Sequence, residues 1–305
     1  MEDFPRTILA FEERFSTEDA CREYLAVVRW PDGFRCPECG HGKAWLTTRK
    51  LYHCAHCGHQ TSVTAGTVFQ DTRKPLRLWF RAMWYVTSQK HGISALGLQR
   101  VLGLGSYHTA WAWLHKLRRA MVRPGRDRLQ GLVEADETYI GGSGGGVPGG
   151  GAVKKHLVLI AVEVDGRALG RIRMRRAADA SADSLCGALA EAVETGTVIR
   201  TDGWSAYRDL QHRGYAHQVT RPMDVVGEDE LPRVHQVASL LKRWLLGTHQ
   251  GAVQPSHLDY YLDEFTFRFN RRKSASRGKL FYRLVQQALQ VDPVPEKLLR
   301  AAAPD

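Results

Sequence analysis

The stretch Gly131-Leu-Val-Glu-Ala-Asp-Glu-Thr-Tyr-Ile-Gly-Gly142 decides how this chain is read. It spells a short apolar strand that delivers a carboxylate, Asp136, and then breaks at glycines. Two later stretches answer it. Ile199-Arg-Thr-Asp-Gly-Trp204 is another strand, ending on Asp202. His235 and Lys242 lie in a helical pattern that opens at Pro232, a residue suited to a first helical turn. In that helix Val234, Val237, Leu241 and Leu245 form a buried stripe, and His235, Ser239 and Lys242 share the adjacent face. A metal-binding side chain and a cation therefore project together.

Outward from these stretches, strands are expected at about 132–139, 157–164 and 170–175. A helix from Ser181 to about Val193 follows, then a strand at 197–201, a short helix from Trp204, a strand near 217–220 and a helix over 232–246. Three strands, a helix, a strand and further helices is the order of an RNase H-like α/β core. There the first and fourth strands are neighbours, so Asp136 and Asp202 are expected to meet. By spacing alone Glu134, on the strand face of Asp136, and Glu137, on the opposite face, remain alternative ligands. Asp263 and Glu264 fall in a helix whose Phe265, Phe267 and Phe269 point to core packing, with Glu264 a fallback third carboxylate. The run from Gly141 to Ala152 lacks the Gly-Lys-Ser/Thr ending of a phosphate loop and leads into a strand, so it reads as a flexible connection. Lys154 and Lys155 at its end are placed to touch DNA.

The N-terminal part carries a second signal. Cys36-Pro-Glu-Cys39 and Cys54-Ala-His-Cys57 are separated by fourteen residues, and Gly40 and Gly58 follow directly to allow a tight knuckle. Two such knuckles complete a tetrahedral site with no open position, which predicts one structural zinc. His53, His56 and His59 are the competing ligands. A helix over Thr17–Val28, capped by Ser16 and packing Ala20, Tyr24, Val27 and Val28, precedes the ribbon. After it, Pro75 starts a helix with the apolar stripe Leu76, Trp79, Phe80, Met83, Trp84 and Val86. Ile93–Leu102, a Gly103-Leu-Gly105 turn and a helix from Ser106 to about Val122 then fit a DNA-binding helix–turn–helix. Its inner face is Ala110, Trp111, Leu114, Leu117 and Met121; its outer face shows His108, Thr109, Lys116, Arg118 and Arg119. A plain helical hairpin has the same pattern.

The chain has 305 residues and a net charge of +11, a balance that suits a polyanionic partner. Of six cysteines, four stand in the two pairs, a metal pattern typical of a reducing compartment; Cys21 and Cys186 read as buried thiols. Met1–Glu13 is charged without the apolar run of a signal peptide, and no segment reaches the length of a membrane span. The expected organisation is a helix and zinc ribbon over 1–70, a helix–turn–helix over 71–130, an RNase H-like core over 131–285 and a tail over 286–305.

Taken together, the ribbon cysteines, Val133–Gly142, Thr201-Asp-Gly-Trp-Ser-Ala-Tyr207, His235 with Ser239–Gly247, and Leu258–Arg272 resemble the zinc-ribbon, DDE-type insertion-sequence transposases of the ISXO type, insertion-sequence family fifteen-ninety-five. The likeness spans roughly residues 15–285. It implies transposition of a DNA element, with Asp136 and Asp202 matching the two invariant aspartates. His235 stands where most such enzymes carry a third acid, a position at which Asn or His also occurs. Lys242 matches the basic residue seven positions on.

That chemistry requires these residue types. Two Mg²⁺ ions about 4 Å apart stabilise the attacking and leaving oxygens of a phosphodiester transfer, and carboxylates hold them. Asp136 is expected to bridge both ions, with Asp202 and His235 each completing one. Imidazole is a poorer ligand for hard Mg²⁺ and tilts the site towards Mn²⁺. Lys242 would hold a phosphate as a point charge. Lys116, Arg118, Arg119, Lys242, Arg243, Arg268, Arg271 and Arg272 are the expected contacts to double-stranded DNA, both element ends and target; Lys273 extends the last group. Bond number is conserved, so no nucleotide cofactor is needed. Pairing two ends implies a homodimer or larger assembly, at work in the cytoplasm of a bacterium or archaeon. A DNA-binding regulator with an inactive core and a nuclease that cuts without joining are the competing readings.

Overall fold

The computed structural model describes residues 3–123, 125–141, 155–166, 168–221, 229–251 and 253–300. The glycine-rich run from 142 and Lys154 lie outside them. The chain divides into two compact units, one of residues up to 123 joined by those from 273 onward, the other spanning 124–272.

The first unit opens with α1 (Ile8–Arg14), which the sequence pattern did not disclose, and α2 (Glu18–Arg29). Thr17, not Ser16, caps α2: its Oγ1 accepts the N–H of Ala20 at 3.1 Å. The buried face is correspondingly Cys21, Tyr24 and Leu25, and Val27 is 69% exposed. The ribbon follows as three short antiparallel strands, β1 (Ala44–Leu46), β2 (Tyr52–Cys54) and β3 (Gln60–Thr61). Next come α3 (Leu76–Ser88), α4 (Ala95–Leu102) and α5 (Tyr107–Ala120). Gly103 closes α4 in the left-handed region at φ +63°, and the N–H of Leu104 reaches back to the carbonyl of Gln99 at 3.0 Å. Ser106 caps α5 by accepting from His108. The two helices and their glycine turn are thus present, as a helix–turn–helix and a plain helical hairpin alike would have them. Its inner face is Ala110, Trp113, Leu114 and Leu117, with Trp79 of α3 stacked on Trp113 at 3.9 Å.

The second unit is a five-stranded sheet of order β6-β5-β4-β7-β8. Its strands are β4 (Leu132–Ile140), β5 (His156–Asp165), β6 (Ala168–Arg176), β7 (Val198–Thr201) and β8 (Ala216–Val219). β4, β5 and β6 pair antiparallel in sequence order, while β7 joins the far side of β4 in parallel. This is the RNase H-like topology. Side chains alternate across β4 with period two. Val133 and Ala135 face α6 (Ala182–Ala192) and the 3₁₀ turn Ser205–Leu210. The other face, with Val158, Ile160 and Val162 of β5, is covered by α7 (Pro232–His249) and α8 (Leu258–Asn270).

From residue 273 the chain belongs to the first unit again. There α9 (Arg277–Ala288) packs its Phe281 against Phe11, Phe15, Phe80 and Trp84, with ring centroids 5.4–5.9 Å apart. A Cβ on Gly278 would lie 1.6 Å from the carbonyl oxygen of Pro5, so only glycine allows this contact. The short α10 (Glu296–Arg300) buries Leu299.

Candidate active site

Two sites of different character can be built from the residues upward. In the ribbon, Cys36 and Cys54 each start a knuckle with the same bonds. Gly40 N–H donates to the Cys36 carbonyl and Gly58 N–H to the Cys54 carbonyl, at 2.9 and 3.1 Å. Both glycines sit at positive φ, +73° and +72°. The knuckles bring Cys36 Sγ to 3.6 Å from Cys57 Sγ, and Cys39 Sγ to 3.7 Å from Cys54 Sγ. A disulfide would hold sulfurs about 2 Å apart. A tetrahedron of thiolates at the usual zinc–sulfur length has edges of about 3.8 Å. The four cysteines are unbridged, and they fit zinc. Backbone N–H groups of Cys57 and His56 pull the Cys54 thiol down, while its crowded neighbours Cys39 and Cys57 are pushed up by the sulfurs around them. The competing histidines stay outside the cluster: His53 stacks on Trp45 at 4.2 Å and takes Gln60 as its partner.

In the second unit the parallel β4–β7 register pairs Val133 with Ile199 and Glu134 with Arg200. Continued two residues, it sets Asp136 beside Asp202. Helix α7 supplies the third residue, and its placement depends on a carboxylate from the sheet. Leu231, at the N-cap, offers no side-chain bond. Glu134, fully buried on β4, accepts the N–H groups of Arg233 and Val234 at 2.8 and 3.2 Å and the Arg233 guanidinium at 3.2 Å. It thereby satisfies the otherwise unpaired first-turn donors of α7. The helix is held at one register, and His235 falls over Asp136, Nε2 to Oδ2 3.4 Å. On the other side of the ring, Asp229 meets His235 Nδ1 at 2.6 Å.

Asp229 was not singled out by any sequence pattern. It precedes α7 without a motif around it, and its role depends on a turn in which it also accepts the N–H of Leu231. Glu137 points to the opposite side of the sheet and accepts the hydroxyl of buried Tyr207 at 2.5 Å. That bond ties the 3₁₀ turn after β7 to β4, so Glu137 and Tyr207 position the Asp202 loop. Asp202 itself accepts the N–H of Trp204 at 2.9 Å. Gly203 between them has φ +85°, and a Cβ there would sit 2.5 Å from Val219 Cγ1.

Burial, then the nearby Glu137, push the Asp136 carboxyl up to about 6, with His235 opposing and Asp202 adding to the rise. Crowded carboxylates beside an imidazole fit a divalent cation, which would relieve that repulsion. Among the described residues, however, only the four cysteines form a group of three or more such side chains whose donor atoms all lie within 4.8 Å of one another. Asp136, Asp202 and His235 converge without standing at common ligand spacing. Glu264 is buried in α8, with Arg268 3.9 Å away.

The expected DNA contacts are dispersed. Lys242 and Arg243 are exposed on α7, Lys242 further along the face of His235. Lys116 and Arg119 are half-buried. Arg118 is not on the outer face: it is 2% exposed, with Nη1 3.4 Å from His115 Nε2. The helical spacing misplaced it because Trp113, not Trp111, turns fully inward. Arg271 lies over the Phe267 ring at 4.0 Å and donates to the Phe267 carbonyl. Arg272 lies over Phe269 at 4.0 Å and bonds the carbonyls of Phe269, Gly170 and Leu169. Both guanidiniums close the C-terminus of α8.

A cysteine ribbon preceding an RNase H-like sheet, with Asp136 in the middle of the sheet's first strand and Asp202 just past its fourth, is the arrangement of the DDE-type transposases. Residues 128–270 match the ISXO2-like transposase domain, and residues 16–60 match the transposase zinc-ribbon domain. The chain is also 28% identical over 280 residues to an uncharacterized protein in transposable element ISH50 of Halobacterium salinarum, covering 83% of this chain and 91% of that one. The chain belongs to the ISXO2-like transposases with an N-terminal zinc ribbon, a family of enzymes that cut DNA and transfer its strands. No helix among the described residues is long and apolar enough to cross a membrane.

Proposed function

We propose that this protein cleaves the ends of an insertion sequence and joins the freed 3′-OH to target DNA. The observation that carries the reading is the parallel pairing of β4 with β7 beneath α7, which sets Asp136 in mid-strand beside the end of β7, where Asp202 follows, and under His235. Asp136 and Asp202 would hold two Mg²⁺ or Mn²⁺ ions, and His235, its ring fixed by Asp229, would present Nε2 as the third donor. When bound, such ions stabilise the attacking and leaving oxygens of an in-line displacement. In the first step water attacks the phosphorus at the element's end and the 3′-oxygen leaves as a hydroxyl. In the second that hydroxyl attacks a target phosphodiester, one P–O bond forming as another breaks. Lys242 would hold a neighbouring phosphate by charge.

In this reading the zinc ribbon and helix–turn–helix bring DNA to the core, with α5 entering the major groove. Two copies or more act together on paired ends in a bacterial or archaeal cytoplasm. His235 in place of an acid favours one alternative, a DNA-binding regulator with an inactive core. The test is cleavage and joining of DNA from the gene's own flanks, with Mg²⁺ or Mn²⁺, by wild type and Asp136→Asn. Nicking at a defined end followed by joining is expected, and the variant should lose at least about a thousandfold in rate. Tight end binding without cleavage in either metal would instead identify the regulator.

A further inference from the structure

The first unit holds a groove that neither the helix–turn–helix nor the acidic site uses. It has a volume of about 620 Å³ and lies between the ribbon hairpin, α2 and the start of α3. Six cations line it, Arg22, Arg49, Lys50, Arg73, Lys74 and Arg77, against a single carboxylate, Glu18.

That carboxylate is already engaged. Pro75 caps α3 without a side-chain bond, and Glu18 accepts the N–H groups of Leu76 and Arg77 at 2.7 and 3.3 Å. Arg22 and Lys50 lean on Asp19 at 3.2 and 3.1 Å, both exposed pairs of the kind that contributes little and exchanges readily. Arg49, Arg73 and Lys74 are exposed and make no ion pair among the described residues. Arg77 is half-buried, and its Nε is shut away from water with no hydrogen-bond partner. The guanidinium as a whole has no ion-pair partner among the described residues, which leaves its charge for an incoming anionic oxygen.

We infer that this groove docks the phosphodiester backbone of DNA. Six cations spread along the lining suit a run of phosphates better than one compact anion. No aromatic side chain lines the groove, so nothing there offers a stacking face for a base. The contact should therefore position the duplex and read no sequence. This rests on the DNA-processing reading above but is separable from it.

The test uses the full-length, zinc-loaded protein and two duplexes, one carrying an element end and one unrelated. Lysine acetylation is followed by mass spectrometry with and without DNA. Acetylation of Lys50 and Lys74 is expected to slow at least about threefold with either duplex. In the variant Arg49→Gln/Arg73→Gln/Lys74→Gln, the slope of log affinity against log salt should become shallower by roughly 3, equally for both duplexes. Zinc content and Tm report on folding. Should the triple variant misfold, Arg73→Gln alone is expected to change the slope by about 1. If wild type binds duplex but the lysines stay unprotected and the slope unchanged, the groove assignment is wrong and the DNA reading stands. If wild type binds neither duplex at any salt, both fall. Protection by ATP but not by DNA would assign the groove to nucleotides and also overturn the inference.

Discussion

The cysteine cluster of the ribbon and the acidic site of the sheet are assembled by opposite routes. Each ribbon cysteine pair sits on one local knuckle, and the four sulfurs stand 3.6–3.7 Å apart in the two close pairs. Asp136, Asp202 and His235 come from a central strand, the end of its parallel neighbour and a helix thirty-odd residues further on. Asp202 and His235 are steadied by partners of their own: Glu137 and Tyr207 around the Asp202 loop, Glu134 at the start of α7 and Asp229 on the imidazole. In the ribbon the metal holds the fold together. In the sheet the fold carries the side chains towards one place but not to common ligand spacing.

The contrast is broken most directly by removing zinc. Structural zinc contributes on the order of 10 kcal/mol to small cysteine domains. Cys36→Ser, or a strong chelator, should release one zinc per chain and expose the ribbon amides between Cys36 and Thr61 to exchange. The sheet of the second unit should keep its protection, because its core contains no zinc ligand. Metal analysis with amide exchange decides it. A ribbon that stays protected after zinc loss would mean that its knuckles are held by packing.

Glu134 gives the next largest effect. It accepts two backbone N–H groups and a guanidinium while fully buried, and breaking such a pair by removing one partner costs about 3–5 kcal/mol. Glu134→Ala should lower Tm sharply and free α7 from its register. Glu134→Gln, which keeps an acceptor, should lose less. Equal Tm for the two variants would remove the capping argument.

The same residue marks what could be read before the structure. The knuckles, the strand order and the acid pair were legible because each rests on short-range spacing or on element order. Glu134 shared a strand face with Asp136, so spacing alone left it open as a metal ligand; its bonds to Arg233 and Val234 lie 99 and 100 residues away. Asp229 carried no pattern at all. Arg118 was placed outward by helical periodicity, which resolves a face but not which of two tryptophans, Trp111 or Trp113, turns in. The return of α9 to the first unit was invisible for a similar reason. Phe281 meets Phe11, Phe15, Phe80 and Trp84 only in three dimensions.

Two carboxylates in the second unit, Asp136 and Asp263, are both held up to about 6, which allows the site to be separated from its surroundings. For Asp263 burial is the main cause, with Arg126 and Arg175 opposing it. A carboxyl raised in the folded state stabilises most below its unfolded value near 4, and that contribution is lost as pH rises through about 6. Asp263→Asn should therefore leave stability unchanged near pH 4 and raise it by up to about 3 kcal/mol at pH 8. Denaturant melts across that range check the slope. A variant less stable at pH 8 would mean that the arginine contacts outweigh burial.

Asp136 has the smaller effect but bears on function. Its proton competes with any divalent ion, so affinity should be flat above about pH 7 and fall as pH drops through 6. Once the carboxyl is mostly protonated, each further unit of pH costs roughly tenfold in affinity, or about 1.4 kcal/mol. Mn²⁺ titrations at pH 5 and pH 7.5 should then differ by about tenfold. Asp136→Asn should weaken binding at both values and remove the dependence, whereas Asp263→Asn should leave it intact. If the dependence survives in Asp136→Asn, the titrating ligand is a different group.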